Sequence, residues 1–328
     1  MEELKMKRMK YTIFNLLILT TALLSSCDSI LEDEFNISSE PQQIEVRFAR
    51  NSMNSSSSSA VSGKLIFWKN SFNDFFVTSI DDLTKYSNDK YNTGEVYPNE
   101  NAQVYATGYS PADMQANEDF KDLRLSDVDA GITDVCVAEK AISGSRITPF
   151  NETMTFEHTL TKVLFTVERD QTMVGIRDVK NIKLSILKKY LPIEWNWDET
   201  GKKYNINYGK TANKSELEFI HSDIISGTNT DELGTAYLML PTNNIGILES
   251  IHLSADIYLT NSTSIERTIN STLDIQLYEK DNTEKVTNAK PGEAYEVRIL
   301  FQQNSFILIA RQLDNWEQGG LIYVPVKP

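Results

Sequence analysis

The sequence predicts an all-β protein made of two antiparallel β-sandwich domains in tandem. Short runs of alternating apolar and polar residues recur along the chain, and turn-forming residues separate them. Alternation with a period of two is typical of strands that bury one face. Helical periodicity is scarce, and only 79–86 and 112–123 could form short helices. Many short strands with frequent turns indicate β-sandwiches.

The N-terminal segment has the pattern of a bacterial lipoprotein signal. Basic residues precede an apolar run at 11–24, and Leu24-Ser25-Ser26-Cys27 resembles the lipobox that precedes a lipidated cysteine. The apolar run is too short for a comfortable membrane span. We therefore predict a signal peptide at 1–26, lipid attachment at Cys27, and a polar tether at 27–40. An ordinary secretory signal or an uncleaved N-terminal anchor is the alternative.

Charge and a short acidic motif bear on location. The formal net charge is −14, and because the first 26 residues carry +4 and −2, the remainder carries about −16. Such a surface repels nucleic acid and anionic head groups, so we expect no nucleic-acid partner and a membrane contact made by the lipid on Cys27. Glu32-Asp33-Glu34 resembles the signal that sends some Bacteroidetes lipoproteins to the outer face of the outer membrane. The expected location is therefore the outer membrane, at the cell surface or on a pilus.

Residues that usually carry catalysis or bind metal are sparse. The chain has two cysteines, and because Cys27 is committed to lipid, Cys136 has no disulfide partner and is predicted to be a small buried apolar residue. The three histidines lie far apart in sequence, and His158 is interpreted as a structural hydrogen-bonding residue. Asp127-Val128-Asp129 resembles part of a calcium loop but lacks the other ligands, so it is predicted to be a turn. With no phosphate loop, nucleophile elbow or HExxH motif, we predict no catalytic residue, no metal and no cofactor, and hence no enzyme.

Strand patterns and breakers suggest the domain limits. A first strand at 43–49 places Ile44, Val46 and Phe48 on one face, and a serine-rich loop at 51–62 follows it. A junction at 171–178 divides an N-terminal domain at 41–172 from a C-terminal domain at 173–328. The further predicted strands are 64–68, 75–78, 102–109, 132–138, 154–157, 162–168, 182–186, 193–198, 203–208, 251–259, 269–278, 295–301, 305–310 and 320–326.

Five sequence motifs follow one another along the chain. They are Tyr97-Pro98 with Val104-Tyr105-Ala106 and Tyr109-Ser110-Pro111, then Met154 to Val163, Tyr237-Leu238-Met239-Leu240-Pro241, Lys290-Pro291-Gly292-Glu293-Ala294-Tyr295, and Asn315-Trp316-Glu317-Gln318-Gly319-Gly320. In this order they resemble the signatures of the fimbrillin family of Bacteroidetes, the type V pilins with their anchor and tip relatives. The resemblance covers nearly all of the chain after the tether.

The resemblance implies a fold, an assembly mechanism and partners. Fimbrillin-like proteins consist of two transthyretin-like β-sandwich domains, and their stalk subunits are exported as lipoproteins. A protease cuts after an arginine beyond the first strand, and the emptied groove accepts a donor strand from the C-terminus of another subunit. By this resemblance the protein is a structural or accessory subunit of an adhesive surface pilus. Its partners would be other pilus subunits and, for a tip subunit, a host or bacterial surface ligand.

Two arginines and the C-terminal tail are candidates for these roles. Arg47 and Arg50 lie at the end of the first strand, where a flexible loop favours proteolysis. Alternatively, both are solvated charges on an uncleaved anchor or tip subunit. The tail at 320–328 alternates weakly and could be a donor strand, although Pro325 limits ladder pairing; alternatively it is the last strand of its own sandwich.

A second functional class is suggested by two tryptophans. Trp195 and Trp197 fall on the same face of a predicted strand, next to a hairpin turn at Glu199-Thr200-Gly201. An exposed pair could stack on sugar rings, which would make the protein a surface glycan-binding lipoprotein. Inward packing of the two rings in a sandwich core is the alternative.

Overall fold

The described part of the chain is built almost entirely from strands. The computed structural model describes residues 41–48, 62–82, 90–98, 102–225, 228–240, 246–280 and 284–313. Two short 3-10 turns, Gln171–Met173 and Lys188–Tyr190, are its helical segments, and it contains no α-helix. The strands are β1 (Gln43–Phe48), β2 (Ser62–Lys69), β3 (Phe75–Asp82), β4 (Lys90–Val96), β5 (Val104–Ser110), β6 (Gln115–Ala116), β7 (Asp122–Arg124), β8 (Cys136–Ala138), β9 (Ile142–Gly144), β10 (Thr153–Met154), β11 (Phe156–His158), β12 (Thr161–Arg169), β13 (Arg177–Leu187), β14 (Glu194–Asp198), β15 (Lys203–Ile206), β16 (Glu216–His221), β17 (Asp231–Leu238), β18 (Ile247–Leu259), β19 (Ile265–Gln276), β20 (Ala294–Phe301) and β21 (Phe306–Gln312).

These strands form five sheets, which confirms the predicted all-β class. Sheet I has the order β10-β1-β4, and sheet II has the order β11-β8-β5-β2-β3 with β9 also paired to β5. Sheet III is β15-β14-β7-β6, sheet IV is β17-β12-β20-β21, and sheet V is β16-β13-β18-β19. Pairing is antiparallel throughout except for β1 with β10 and β12 with β20, which run parallel.

The two predicted helices are absent. Residues 79–82 belong to β3, and 112–123 contain β6 and most of β7 with a turn between them. The weak helical periodicity of these segments gives way to strand pairing, because local propensity is readily overridden by tertiary contacts. Residues 83–86 of the first predicted helix lie outside the described residues.

Sheet II is buried on both faces. In β2, Leu65 and Phe67 pack into the core shared with sheet I, whereas Ile66 and Trp68 pack into the core shared with sheet III. All four side chains are at most 1% exposed. A continuous apolar run is what a strand needs when successive side chains enter two different cores.

Sheets IV and V form a second sandwich with a single core. Val163, Phe165 and Val167 of β12 face Leu184 and Ile186 of β13 across this core, and all are fully buried. The alternation predicted at 162–168, 182–186 and 251–259 therefore marks faces that are indeed buried.

The predicted boundary at residues 172 and 173 does not separate the sheets. Before it, β12 pairs with β17 and β20 in sheet IV. After it, β14 pairs with β7 in sheet III. The junction at 171–178 does contain a turn, but that turn joins β12 of sheet IV to β13 of sheet V within one sandwich. A local turn signal does not reveal which strands pair. Residues from Gln43 onward form one compact unit.

The face of sheet IV that points away from this core carries a buried ion pair. Glu296 of β20 lies directly opposite Arg311 of β21, and Arg311 donates from Nε and Nη2 to Glu296 Oε2 over 3.0 and 2.9 Å. The hydroxyl of Thr166 on β12 donates to the other carboxylate oxygen over 3.1 Å. The pair therefore links three adjacent strands, β12, β20 and β21.

We expect Arg311→Leu to lower the free energy of unfolding by about 3–5 kcal/mol, because it removes both short contacts to the buried Glu296 carboxylate and leaves it with Arg298 Nε at 3.9 Å as its cationic neighbour. The double variant Glu296→Leu/Arg311→Leu should recover much of this loss. Urea unfolding of the three proteins measures the effect. As a control, Lys183→Ala removes the exposed Lys183–Glu218 pair and should cost less than about 1 kcal/mol. Equal losses in the single and double variants would contradict the expectation.

Candidate functional site

The first strand occupies the centre of sheet I. β1 runs parallel to β10, with Arg47 opposite Thr153, and antiparallel to β4, with Val46 opposite Tyr91. The ladder to β4 is interrupted once by a register shift between Gln43 and Glu45. Among the described residues, β1 is the only sheet I neighbour of both β4 and β10. The sheet therefore depends on a six-residue strand at its centre.

The side chains of β1 alternate as the sequence predicts. Ile44 and Val46 are completely buried in the core between sheets I and II, Glu45 is half-buried, and Arg47 is exposed. The hydroxyl of Thr93 on β4 donates to the carbonyl oxygen of Ile44 over 3.1 Å. Fully burying such aliphatic side chains contributes about 1.5–3 kcal/mol each. The side chain of Phe48, the third predicted core residue, lies outside the described part.

The core beneath β1 is shaped by close contacts among aromatic residues. Tyr97 Oη accepts a hydrogen bond from the backbone N–H of Phe150 over 2.9 Å, and the two rings pack at 5.7 Å between centroids. Burial raises the pKa of Tyr97 to about 12; the Phe150 hydrogen bond opposes this and the Glu45 charge adds to it. A Cβ on Gly144 would come within 2.7 Å of the Phe150 backbone nitrogen, so only glycine fits there. These contacts involve residues outside β1 and do not need its side chains.

The two candidate cleavage residues differ in position. Arg47 is the fifth residue of β1 and is paired on both sides, opposite Thr153 and Lys90. A protease needs an extended, unpaired segment, so the bond after Arg47 is protected while β1 is in place. Arg50, Cys27 and the tail at 320–328 lie outside the described residues, and their predicted roles stay predictions.

Trp195 and Trp197 do not form an exposed platform. Both lie on β14 and point into the core between sheets II and III, where they are 0% and 9% exposed. Trp195 Nε1 donates to Thr159 Oγ1 over 2.9 Å, and the Trp197 ring lies 5.1 Å from the rings of both Trp68 and Tyr204. The two tryptophans do lie on the same face of β14, as predicted. That face is the inner one, because sheet III covers sheet II. The exposed-platform prediction is thereby corrected in favour of inward packing.

A polar cleft on the outer face of sheet V is another surface feature. It is lined by nine residues, none of which is phenylalanine, tyrosine or tryptophan: Lys183, Ser185, Glu216, His252, Leu253, Ser254, Asn270, Ser271 and Thr272. Stacking on sugar rings needs an aromatic surface, so this cleft lacks the feature on which the glycan alternative was based.

Two smaller predictions are confirmed: the burial of Cys136 and the turn at Asp127-Val128-Asp129. Cys136 is buried, and it is a free thiol. Asp127 accepts hydrogen bonds from the backbone N–H and the side-chain amide of Asn213, both over 2.8 Å. These bonds lower the pKa of Asp127. Residues 127–130 form the predicted turn, in which the backbone N–H of Ala130 donates to the carbonyl oxygen of Ser126 over 3.1 Å.

Sequence reasoning missed β4 and included β10 only in part, since the strand predicted at 154–157 contains Met154 but not Thr153. β4 has the sequence KYNTGEV, in which apolar and polar residues do not alternate, and β10 consists of two residues. Neither gives a periodic signal that could be recognised from sequence. Both exist because β1 lies between them and supplies their ladder partners.

We expect Ile44→Ala to lower the free energy of unfolding by about 2–5 kcal/mol, since it leaves a cavity in a fully packed core. Arg47→Ala, in the same strand but exposed, should change it by no more than about 0.5 kcal/mol. Urea unfolding followed by tryptophan fluorescence measures both. Similar effects of the two substitutions would show that β1 does not pack as described.

Comparison with known proteins supports the fold. No family model matches the sequence, and no curated protein matches it. A solved structure of a candidate cell adhesion protein from Bacteroides uniformis matches with a TM-score of 0.51 at 12% identity, covering 84% of this chain and 98% of that one. A candidate cell adhesion protein from Bacteroides ovatus gives 0.47 at 11% identity, covering 84% and 98%, and a fimbrial protein from Bacteroides vulgatus gives 0.45 at 12%, covering 84% and 99%.

The identities are low, so the likeness concerns the fold. The chain has the fold of the Bacteroides uniformis protein along most of its length.

Proposed function

We propose that this protein is a structural or accessory subunit of an adhesive surface pilus that assembles by strand addition. In this proposal β1 is the exchangeable strand, and sheet I is the site that receives a strand from another subunit. The protein acts by binding other subunits and a surface ligand, and it performs no catalysis. The observation that carries the proposal is the central position of β1 in sheet I.

The geometry of sheet I favours replacement of β1 by another strand over loss of β1 without replacement. Because neighbouring strands lie about 4.8 Å apart, removal of β1 would leave a slot about 10 Å wide between β4 and β10. Both strands would lose their ladder partner in sheet I, and the pockets of Ile44 and Val46 would open to water. An incoming strand would restore both ladders and refill both pockets. Exposed strand edges and apolar pockets together make a site that selects an extended peptide.

The orientation of the incoming strand follows from the pairing. A strand that copies β1 runs parallel to β10 and antiparallel to β4. It must also present apolar residues at alternate positions, since Ile44 and Val46 alternate with the half-buried Glu45 and the exposed Arg47. The tail at 320–328 has weak alternation of this kind and is the donor in this proposal.

Membrane attachment completes the proposal. Cys27 carries the lipid, the acidic segment 27–40 spaces the folded unit from the bilayer, and the protein resides on the outer membrane, exposed at the cell surface. More than one acyl chain is required for stable anchoring, which a lipidated N-terminal cysteine can supply. Among the described residues, no helix has the length and apolar character needed to cross a bilayer.

We expect cleavage after Arg50 to convert the monomer into oligomers. A specific protease site placed directly after Arg50 in the full chain allows β1 to be released without other cuts. Size-exclusion chromatography should show a monomer before cleavage and larger species afterwards, and deletion of 321–328 should abolish those species. If the cleaved protein stays monomeric at high concentration, the polymerising role fails, and the uncleaved anchor or tip role is favoured.

A peptide competition isolates the contribution of the slot. A synthetic peptide of residues 41–50, added in excess after cleavage, should block oligomer formation because it refills sheet I. The matched control is the same peptide with Ile44→Asp and Val46→Asp. It keeps the backbone hydrogen-bonding groups, but burial of its two carboxylates in the apolar pockets is unfavourable. Equal inhibition by both peptides would rule out the two core pockets as the binding determinant.

We expect Cys27→Ala to abolish lipid attachment. In the native host, mass spectrometry of the mature N-terminus should find an acylated Cys27, and the variant should leave the membrane fraction. Ser26→Ala retains a small residue before the cysteine and is the matched control that should remain acylated. An unmodified Cys27 in the mature wild-type protein would contradict the lipoprotein prediction.

A further inference from the structure

Three potential metal ligands converge at the end of sheet II. Cys136 opens β8, His158 closes β11, and the two residues are direct partners in the antiparallel ladder. Directly opposed residues project on the same side of a sheet, and so does a residue two positions away along an extended strand. Asp134 lies two residues before Cys136 and completes the group. Residues that are 24 positions apart in sequence are thus brought into contact.

The ligand atoms are close to the spacing of a zinc site. His158 Nδ1 lies 2.7 Å from Asp134 Oδ2 and 3.2 Å from Cys136 Sγ, and Sγ lies 3.8 Å from Oδ2. Bond lengths of about 2.0–2.3 Å in tetrahedral geometry imply ligand separations of about 3.3–3.6 Å. To reach this range, the nitrogen–oxygen contact must lengthen by roughly 0.6 Å, the nitrogen–sulfur contact must lengthen by about 0.1–0.4 Å, and the sulfur–oxygen contact must shorten by about 0.2 Å. The group is therefore nearly preformed for a small divalent cation.

An independent observation at Asp134 also points to an ion. Its second oxygen, Oδ1, is buried and has no hydrogen-bond partner among the described residues. Buried polar oxygens are almost always satisfied, and an exception calls for a water or an ion. This carboxylate therefore has unused capacity to bind a cation directly at the group.

The arrangement differs from that of a cysteine nucleophile. Cys136 and Asp134 both contact Nδ1 of His158, whereas a catalytic relay uses one ring nitrogen for each partner. Burial raises the pKa of the Cys136 thiol well above its usual range, and the Asp134 charge acts in the same direction. A bound cation is the partner that would instead stabilise the thiolate.

Both positive and negative side chains lie near the three potential ligands. Lys162 faces Asp134, and its pKa is lowered by burial although Asp134 and Glu232 oppose this. Tyr237 is also adjacent, with a pKa raised by burial to about 12. The Lys162 charge disfavours a cation, and the Asp134 and Cys136 charges must outweigh it.

We propose that Asp134, Cys136 and His158 bind one zinc-type divalent cation through oxygen, sulfur and Nδ1. Mixed sulfur and nitrogen ligands favour zinc over magnesium or calcium. On binding, the Cys136 thiol gives one proton to solvent, and the neutral His158 ring carries its proton on Nε2. His158 also lines a cleft of about 580 Å³ together with Thr159 and Lys203. The ion clamps β8 to β11.

The test uses the full chain carrying Cys27→Ala, in which Cys136 is the only thiol because the chain has two cysteines. After removal of metal with a chelator, the protein is titrated with Co²⁺. A sulfur-to-cobalt charge-transfer band should appear in the near ultraviolet and saturate at one equivalent, and Zn²⁺ should bleach it. In weakly buffered solution about one proton should be released per Zn²⁺ bound. The thermal midpoint should rise with Zn²⁺ concentration.

Variants in the same background assign the ligands. Cys136→Ser should abolish the charge-transfer band, and His158→Asn should weaken Co²⁺ binding at least about tenfold. His252→Asn, which alters an exposed histidine on sheet V that contacts Thr272, is the matched control and should bind as before. Absence of the band in the parent protein overturns the proposal whether or not the variants fold. Persistence of the band in Cys136→Ser, or equal affinity in His158→Asn and the control, also overturns it.

Discussion

The rest of the structure depends on burial of sheet II on both faces. Its strand β2 sends Leu65 and Phe67 to one side and Ile66 and Trp68 to the other, and none of these side chains reaches water. Such a sheet is stable only if a second layer covers each face. Sheet I covers one face and sheet III the other, so both layers are required by the composition of a single strand.

This constraint explains the position of β1 and the burial of the tryptophans together. Ile44 and Val46 of β1 are part of the layer over one face, and Trp195 and Trp197 are part of the layer over the other. The first layer rests on a short strand at the start of the described chain, with a serine-rich segment after it in sequence. The second layer is built from strands of both halves of the chain and is interlocked with the rest. Sheet I is therefore the layer to which the proposed strand exchange is assigned, whereas sheet III is committed to the core.

The ligand group at Asp134, Cys136 and His158 lies where sheet II meets the second sandwich. β11 ends at His158, and β12, a central strand of sheet IV, begins three residues later at Thr161. The backbone N–H of Thr159 donates to the carbonyl oxygen of Val135, and its hydroxyl accepts from Trp195. A cation at this point would tie β8 to β11 beside the passage of the chain from one sandwich to the other.

The sequence by itself determined the all-β class, most of the strands and the amphipathic character of β1, because alternation with a period of two is a property of the local backbone. It also identified the family resemblance on short motifs. Only the tertiary structure decided which strands pair, such as β12 with β20, whose paired residues lie 132 positions apart, and which face of β14 is the inner one. It also brought His158 to Cys136. Alternation shows that one face of a strand is buried, but the partner that buries it depends on long-range packing and register, which local patterns do not encode.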